Sequence, residues 1–255
     1  MNKKKIAIVT GASSGIGKEF AKRVCTEYNV DELWAVARSR EKLAALEEEL
    51  DIKVCSIPCD LTDKNSILHL ETLLKQEALQ VDVLVNAAGY GKFGAFEDVP
   101  LEEQLDMMEL NNKALVALSY KVLPFMAEGG KIFMLGSLSS FQPVPYISVY
   151  GASKAFVLSF SRALNRELRN KGIRVLAVSP GWVKTAFFDR AVRDNTIVYY
   201  NKFYTPKQVV DRAIKDMRKG KDVSICGLLI RAQVLFTKLM PHKAIMAIWC
   251  MQQKK

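Results

Sequence analysis

The sequence predicts an α/β chain: a doubly wound parallel sheet of about seven strands with helices on both faces, in a single domain over residues 1–255. Three observations carry this prediction. Short apolar, β-branched runs alternate with helical patterns along the chain, the order that a parallel sheet with crossover helices requires. A glycine-rich turn follows the first run and opens the first helix, a nucleotide-binding arrangement. No internal repeat, low-complexity segment or linker divides the 255 residues.

Lys5–Thr10 (KIAIVT) is the first strand, Gly11–Gly17 (GASSGIG) the turn, and Lys18–Tyr28 the first helix. Glycines let the backbone approach a pyrophosphate, and a helix N-terminus favours its charge. The spacing is Thr-Gly-x-x-x-Gly-x-Gly rather than Gly-x-Gly-x-x-Gly. Glu32–Ala37 (ELWAVA) is the second strand, followed at once by Arg38-Ser39-Arg40. In a dinucleotide fold the tip of this strand faces the adenosine ribose, where an acid would repel a 2′-phosphate. Arg38, with Ser39 as a neutral donor, suits phosphate instead, which favours NADP over NAD. The plainer alternative is a solvated arginine ahead of a helix at Glu41–Leu50.

Lys53–Ile57 is the third strand. Asp60 after it either accepts from an adenine amino group or, with Thr62 or Asp63, caps a helix running to about Leu79. Val81–Val85 is the fourth strand and ends in Asn86-Ala87-Ala88-Gly89, small residues at a carboxyl end where ligands sit in open parallel sheets. A glycine-rich loop, Tyr90–Pro100, carries Phe93 and Phe96. A long helical pattern follows, Leu101–Glu128, with Asn111 and Asn112 in its middle. Asparagine is a poor helix interior residue, so one of the pair has another job; Asn112 fits a surface position. Lys131–Leu135 is the fifth strand. The helix Tyr150–Asn170 has an apolar face wide enough for burial against both the sheet and a partner subunit. Arg174–Ser179 is the sixth strand, closed by Pro180-Gly181.

Residues Trp182–Tyr204 hold Trp182, Phe187, Phe188, Tyr199, Tyr200, Phe203 and Tyr204. This density reads either as ordinary loop packing or as a lid (182–205) over an apolar substrate such as a steroid or fatty-chain ketone. Thr205-Pro206 opens a helix at Lys207–Lys219, with proline at its first position. Lys221–Cys226 is the seventh strand. The extension 227–255 is apolar and basic, and Pro241 splits it into two amphipathic pieces. It could lie on an anionic membrane surface, at a subunit interface or over the active site.

Composition narrows the function classes. The chain is 49% hydrophobic and 25% charged, as globular proteins are. Its net charge of +10 would suit an anionic partner, yet no dense basic run interleaved with aromatics points to nucleic acid. No acid follows Asp222, whereas Arg231, Lys238, Lys243, Lys254 and Lys255 do. Five scattered cysteines without CxxC spacing read as small buried hydrophobes in a reducing compartment, and no metal is expected. The basic Met1–Lys5 precedes an apolar run too short for a signal sequence, and no stretch would span a bilayer. A cytoplasmic location, peripheral to the membrane at most, is the expectation.

The chemistry concentrates in Ser137–Lys154 (SLSSFQPVPYISVYGASK). Lys154 lies four residues after Tyr150, on the same helical face, and Ser137 lies thirteen before it. A phenol titrates near ~10, and a nearby cation favours its ionised form. A tyrosine so placed can pass a proton to or from a substrate oxygen. The intervening Gln142–Ser148, with two prolines and Tyr146, is expected to wall a substrate pocket.

Seven motifs occur in order: TGASSGIG at Thr10–Gly17, Asp60-Leu61-Thr62, NAAG at Asn86–Gly89, Asn111, Ser137, YGASK at Tyr150–Lys154 and PGWVKT at Pro180–Thr185. Together they are highly specific. The chain resembles the short-chain dehydrogenase/reductase family, NADP-preferring type with a Rossmann-type fold, from Lys5 to about Thr185. The resemblance implies that Tyr150 is the general acid/base, with Ser137 bonded to the substrate oxygen. It implies that Lys154 lowers the tyrosine pKa and holds the nicotinamide ribose, and that Asn111 holds a water linking Lys154 to solvent. Gly11, Ser13, Gly15, Ile16 and Gly17 would line the pyrophosphate, Asp60 the adenine and Asn86 the adenine ribose. Thr185 would hold the carboxamide. Ser14, Arg38, Ser39, Leu61, Ala87, Gly89, Pro180, Gly181 and Val183 complete the implied cofactor set, with Tyr150 and Lys154. The one departure is Gly136, where many relatives have a second serine. The implied activity is NADP(H)-dependent interconversion of a ketone and a secondary alcohol, in a homodimer or homotetramer. Within it, a hydroxysteroid dehydrogenase competes with a 3-oxoacyl or general carbonyl reductase. Outside it stands a non-catalytic nucleotide-sensing or membrane-interaction protein, against which the intact Ser137, Tyr150 and Lys154 argue.

Overall fold

Alternation along β1 (Lys4–Thr10) sends Ala7 and Val9 to one face of the sheet and Ile6 and Ile8 to the other, and all four are fully buried. A strand buried on both faces needs helices on both, and the chain supplies them. The protein is described here from a computed structural model covering residues 3–76, 79–192 and 194–255. On the Ala7 face pack α1 (Gly15–Glu27) through Phe20 and Val24, α2 (Arg40–Glu48) through Leu43 and Leu46, and α8 (Pro206–Arg218) through Val209 and Ala213. On the Ile6 face pack α3 (Lys64–Gln76) through Leu70 and Leu74, α5 (Leu115–Val122) through Leu118 and Val122, and α6 (Ser148–Glu167) through Val157.

The sheet joins β1 to β2 (Glu32–Ala37), β3 (Lys53–Pro58), β4 (Leu79–Asn86), β5 (Met126–Leu135), β6 (Arg174–Val178) and β9 (Val223–Ser224). Its order is β3-β2-β1-β4-β5-β6-β9, and every pairing is parallel. The chain leaves β1 in one direction and returns past it to β4, so a crevice opens beyond the carboxyl ends of those two strands. The buried Glu32 at the opposite end is not a stray charge. Lys4 and Lys53 pair with it, and Trp34 Nε1 donates to it at 2.9 Å.

Several boundaries differ from the sequence expectation. The helix α3 ends at Gln76 and Leu79 already belongs to β4; residues 77 and 78 lie outside the described set. The long pattern Leu101–Glu128 breaks into α4 (Leu101–Met108), a π-helical turn at Glu109–Ala114, α5, and a 3-10 turn at Leu123–Phe125. Pro124 has no N–H to continue an α-helix, and β5 begins at Met126. The seventh strand shrinks to Val223–Ser224, because only these residues reach the edge of β6. Two-residue strands β7 (Trp182–Val183) and β8 (Phe203–Tyr204) pair with each other and bracket α7 (Phe187–Ala191). The extension forms α9 (Leu228–Leu239) and α10 (His242–Gln252), with Met240 and Pro241 between them.

Candidate active site

The first wall of the crevice is the glycine turn. Gly11 adopts φ +67°, and a Cβ there would lie 3.0 Å from the Ala87 backbone. A Cβ on Gly17 would collide with the Gly11 carbonyl oxygen. Both glycines are therefore required for α1 to start tight against β1 and β4. The helix starts at Gly15, three residues earlier than its apolar pattern indicates, so its unpaired first N–H groups belong to the turn itself.

The second wall is the tip of β2. Arg38 and Ser39 line the crevice, and Ser39 also caps α2 by accepting from the Lys42 N–H at 3.3 Å. Lys42, in the first turn of α2, lines the crevice as well, a second cation that no sequence motif marks. Asp60 accepts from the Thr62 backbone at 2.9 Å and its hydroxyl at 2.7 Å, while Asp63 caps α3 through Asn65. Burial pushes the Asp60 carboxyl up, but those two hydrogen bonds and the charges of Arg38 and Arg190 hold it below its ordinary value. Arg190, from α7, stacks its guanidinium 3.3 Å from the centre of the Tyr90 ring. It too lines the crevice, and no sequence motif marks it, because its position depends on a loop fold that spacing does not encode.

The third wall carries the hydroxyls. Ser137 leaves β5 in extended conformation and closes a capping box with Ser140, whose hydroxyl donates to the Lys154 carbonyl at 2.8 Å. This ties the serine to the first turns of α6. The Ser137 hydroxyl lies near enough to the Tyr150 phenol to favour its ionised form. Position 136 has little room for a side chain, since a Cβ on Gly136 would sit 3.0 Å from Ser179 Oγ.

The electrostatics of the pair differ from expectation. Burial pushes the Tyr150 phenol up to about 12, and only the Ser137 hydroxyl pulls the other way. Burial also pulls Lys154 down to about 8. The Lys154 ammonium donates to the Leu135 carbonyl at 2.8 Å and lies 5.8 Å from the tyrosine ring centre. Desolvation, not the expected lysine field, governs the phenol in this arrangement.

Asn111 sits within the π-helical turn, a feature common at functional sites. Its amide clamps Tyr90 through both backbone groups, at 3.1 and 2.9 Å, and donates to Ser153 at 3.2 Å. Gly89 separates Asn111 from Lys154: a Cβ there would lie 2.7 Å from Asn111 Oδ1 and 3.4 Å from Lys154 Nζ. Asn112 is not a surface residue. It is half-buried and donates to the Ser153 carbonyl at 2.8 Å, so both asparagines hold α6 to this turn.

These walls enclose a cavity of about 1010 Å³. Of the residues named above for cofactor and catalysis, all line it except Asn111 and Asn86. Asn86 does not line the cavity: it is buried, and its amide donates to Ser119 Oγ at 3.0 Å. Thr185 accepts from the Phe187 N–H at 3.3 Å, and its methyl packs where a Gly15 Cβ would be. In the wall after Ser137, the lining comes from Gln142, Val144 and Ile147 rather than from the prolines or Tyr146. Tyr146 turns away at φ +66°, toward Lys255.

The remaining walls are apolar. Trp182, Phe187 and Phe188 line the cavity and, with Tyr200 behind them, form a ring cluster with centroid spacings of 5.0 to 5.8 Å; Phe187 sits 5.7 Å from Tyr150. The two final helices close the cavity with Leu229, Phe236, Ile245 and Trp249. Trp249 Nε1 donates to the Pro145 carbonyl at 3.0 Å, and the buried Gln253 accepts from Val198 and Tyr199 at 2.9 and 3.0 Å. The tail is thereby pinned to both substrate-side loops.

The sequence matches the family described as short chain dehydrogenase over residues 5–196. It is 35% identical over 191 residues to sulfoacetaldehyde reductase 2 of Chromohalobacter salexigens, covering 71% of this chain and 74% of that one. Two solved structures share the fold along almost the whole length. A short-chain dehydrogenase from Sphingobium yanoikuyae in complex with NADPH superposes with a TM-score of 0.77 at 30% identity, covering 96% of this chain and 95% of that one. The bulky-bulky ketone specific alcohol dehydrogenase from Comamonas testosteroni gives 0.72 at 29% identity, covering 94% and 96%.

Proposed function

The chain belongs to the short-chain dehydrogenase/reductase family, and we propose that it is an NADP(H)-dependent oxidoreductase interconverting an apolar ketone of steroid or acyl-chain type with its secondary alcohol. One observation carries this. The Tyr150 and Ser137 hydroxyls meet on a single wall of a cavity whose glycine turn lies on one side and whose aromatic cluster lies on the other. The likeness to a bulky-ketone dehydrogenase supports the same substrate class.

The residues present fit a nicotinamide dinucleotide. Gly11 and Gly17 leave a cradle that side chains would fill, and the N-terminus of α1 offers it free N–H groups. Arg38, Ser39 and Lys42 line the same crevice, and two cations with a neutral hydroxyl suit a 2′-phosphate better than a bare ribose. When bound, the cofactor supplies or accepts the hydride. Ser137 and Tyr150 donate to the substrate oxygen as charge grows on it, and Tyr150 delivers its proton there. Lys154 holds positive charge beneath them and can bond ribose hydroxyls. Asn111 keeps Tyr90 and Gly89 in place around that ammonium. A second copy of the chain is proposed to cover the exposed Leu101, Leu105, Met108 and Phe156 on α4 and α6.

Loss of NADPH absorbance with a panel of bulky ketones is expected to reveal turnover; silence across the panel would reject the reading. The same assay tests the cofactor. Arg38→Ala is expected to raise KM for NADPH by roughly 10- to 100-fold, the worth of a charged hydrogen bond, and to leave NADH within a few-fold. Equal losses for the two cofactors would sink the NADP assignment.

A further inference from the structure

The helix α9 is apolar on nearly every side, yet it is not buried. Ile230, Val234 and Thr237 face the core, and Leu229, Gln233 and Phe236 face the cavity. A third row, Leu228, Leu235 and Leu239, points outward with 81%, 60% and 76% of its surface exposed. Met251 on α10 adds another exposed apolar side chain. A helix that is apolar all round belongs in a core or at a lipid boundary. Among the cations of this region, Arg231 is spent on the Ile225 carbonyl and Lys255 on the Tyr146 ring. Lys238 on α9, Lys243 on α10 and Lys254 just after it remain exposed, and no acid occurs from Val223 to the last residue.

We infer that the outer faces of α9 and α10 seat this protein on an anionic lipid bilayer surface. The leucines and Met251 enter the headgroup boundary, and Lys238, Lys243 and Lys254 meet the headgroup phosphates. Charge decides between this occupant and a second copy of the chain. A twofold contact places a patch against itself, so these cations would face their own copies with no acid to relieve them. No helix of the described residues is long and apolar enough to cross the membrane, so the contact is peripheral. The same helices wall the cavity. If the proposed ketone activity holds, a substrate dissolved in lipid enters past Leu229 and Phe236; the docking itself does not depend on that activity.

The test is flotation of the full chain with phosphatidylcholine vesicles, with and without phosphatidylglycerol. The protein is expected to float only with the anionic vesicles and to be released by salt. Each lysine near such a surface is worth roughly fivefold in binding, so Lys238→Glu/Lys243→Glu should weaken it by roughly 30-fold or more. Leu235→Ser/Leu239→Ser should weaken it as well, and both variants should reduce a water-soluble ketone at the parent rate. Three results would overturn the inference: no flotation with anionic vesicles, variants that float like the parent, or leucine variants that turn a sedimenting dimer into a monomer. An acidic partner protein is excluded if lipid vesicles alone capture the chain. Flotation without turnover of any ketone would reject the proposed activity and leave the docking intact.

Discussion

Replacing Tyr150 by phenylalanine is expected to lower kcat for ketone reduction by about 10²–10⁴-fold, with thermal stability nearly unchanged. The separation follows from the way the residue is held. The ring packs against Phe187 at 5.7 Å, and phenylalanine keeps that contact. Ser153 holds the Tyr150 backbone carbonyl at 2.7 Å, and any side chain allows this. Only the hydroxyl and its approach to Ser137 are lost. Because burial pushes the phenol up to about 12, it carries its proton throughout the neutral range and is ready to act as the acid in reduction. Alcohol oxidation must first remove that proton, so the ratio of oxidation to reduction should climb with pH. Steady-state rates of the parent and Tyr150→Phe in both directions, alongside melting curves, decide the matter. Unchanged turnover in Tyr150→Phe would remove the tyrosine from the chemistry.

Much of this arrangement is written in local pattern. Two-residue alternation with both faces apolar, as in Ile6–Val9, forces helices onto both sides of the sheet and with them the crevice at the strand tips. The motif from Ser137 to Lys154 is equally legible, because a strand end and a helix start fix where each side chain points. What pattern leaves open is which surface an apolar residue covers. Leu229 and Ile230 are adjacent and of similar size, yet Leu229 stands exposed at the cavity edge and Ile230 is fully buried in the core. Their fates depend on how α9 docks against the turn after Ser137, a long-range contact. Asn86 is a similar case. Its motif places it at the strand tip, but a one-residue step along a strand reverses the side chain, and this one is buried against Ser119. The Lys154 ammonium belongs here as well: spacing puts it near Tyr150, but only the fold shows how deeply both are desolvated.

That burial yields the second large effect. Lys154→Met is expected to abolish turnover and yet to make the folded protein more stable at pH 7 by about 2 kcal/mol. Burial pulls Lys154 down to about 8 in the fold from its ordinary 10.5, so burying its charge costs about 3 kcal/mol wherever both states are protonated. Methionine has a similar length and no charge to desolvate. Against this stands the lost bond to the Leu135 carbonyl, worth about 1 kcal/mol. For a chain of this size the net gain corresponds to a rise in Tm of about 4–8 °C. The pH dependence gives the origin away. Between about 8 and 10.5 the unfolded parent binds the proton and the folded parent does not, so the parent gains stability as pH rises through that window. The variant lacks this gain, and its advantage should shrink toward pH 10. Tyr150 acts in the opposite sense, but its raised pKa removes stability only above its unfolded value of 10, beyond the window measured. Denaturant unfolding of parent and variant from pH 7 to pH 10 provides the measurement. A variant less stable at pH 7, or a difference that stays constant with pH, would show that the lysine supports the fold rather than straining it. A more stable but inactive protein would mean that the ammonium is retained for its work at the site, at a standing cost to the fold.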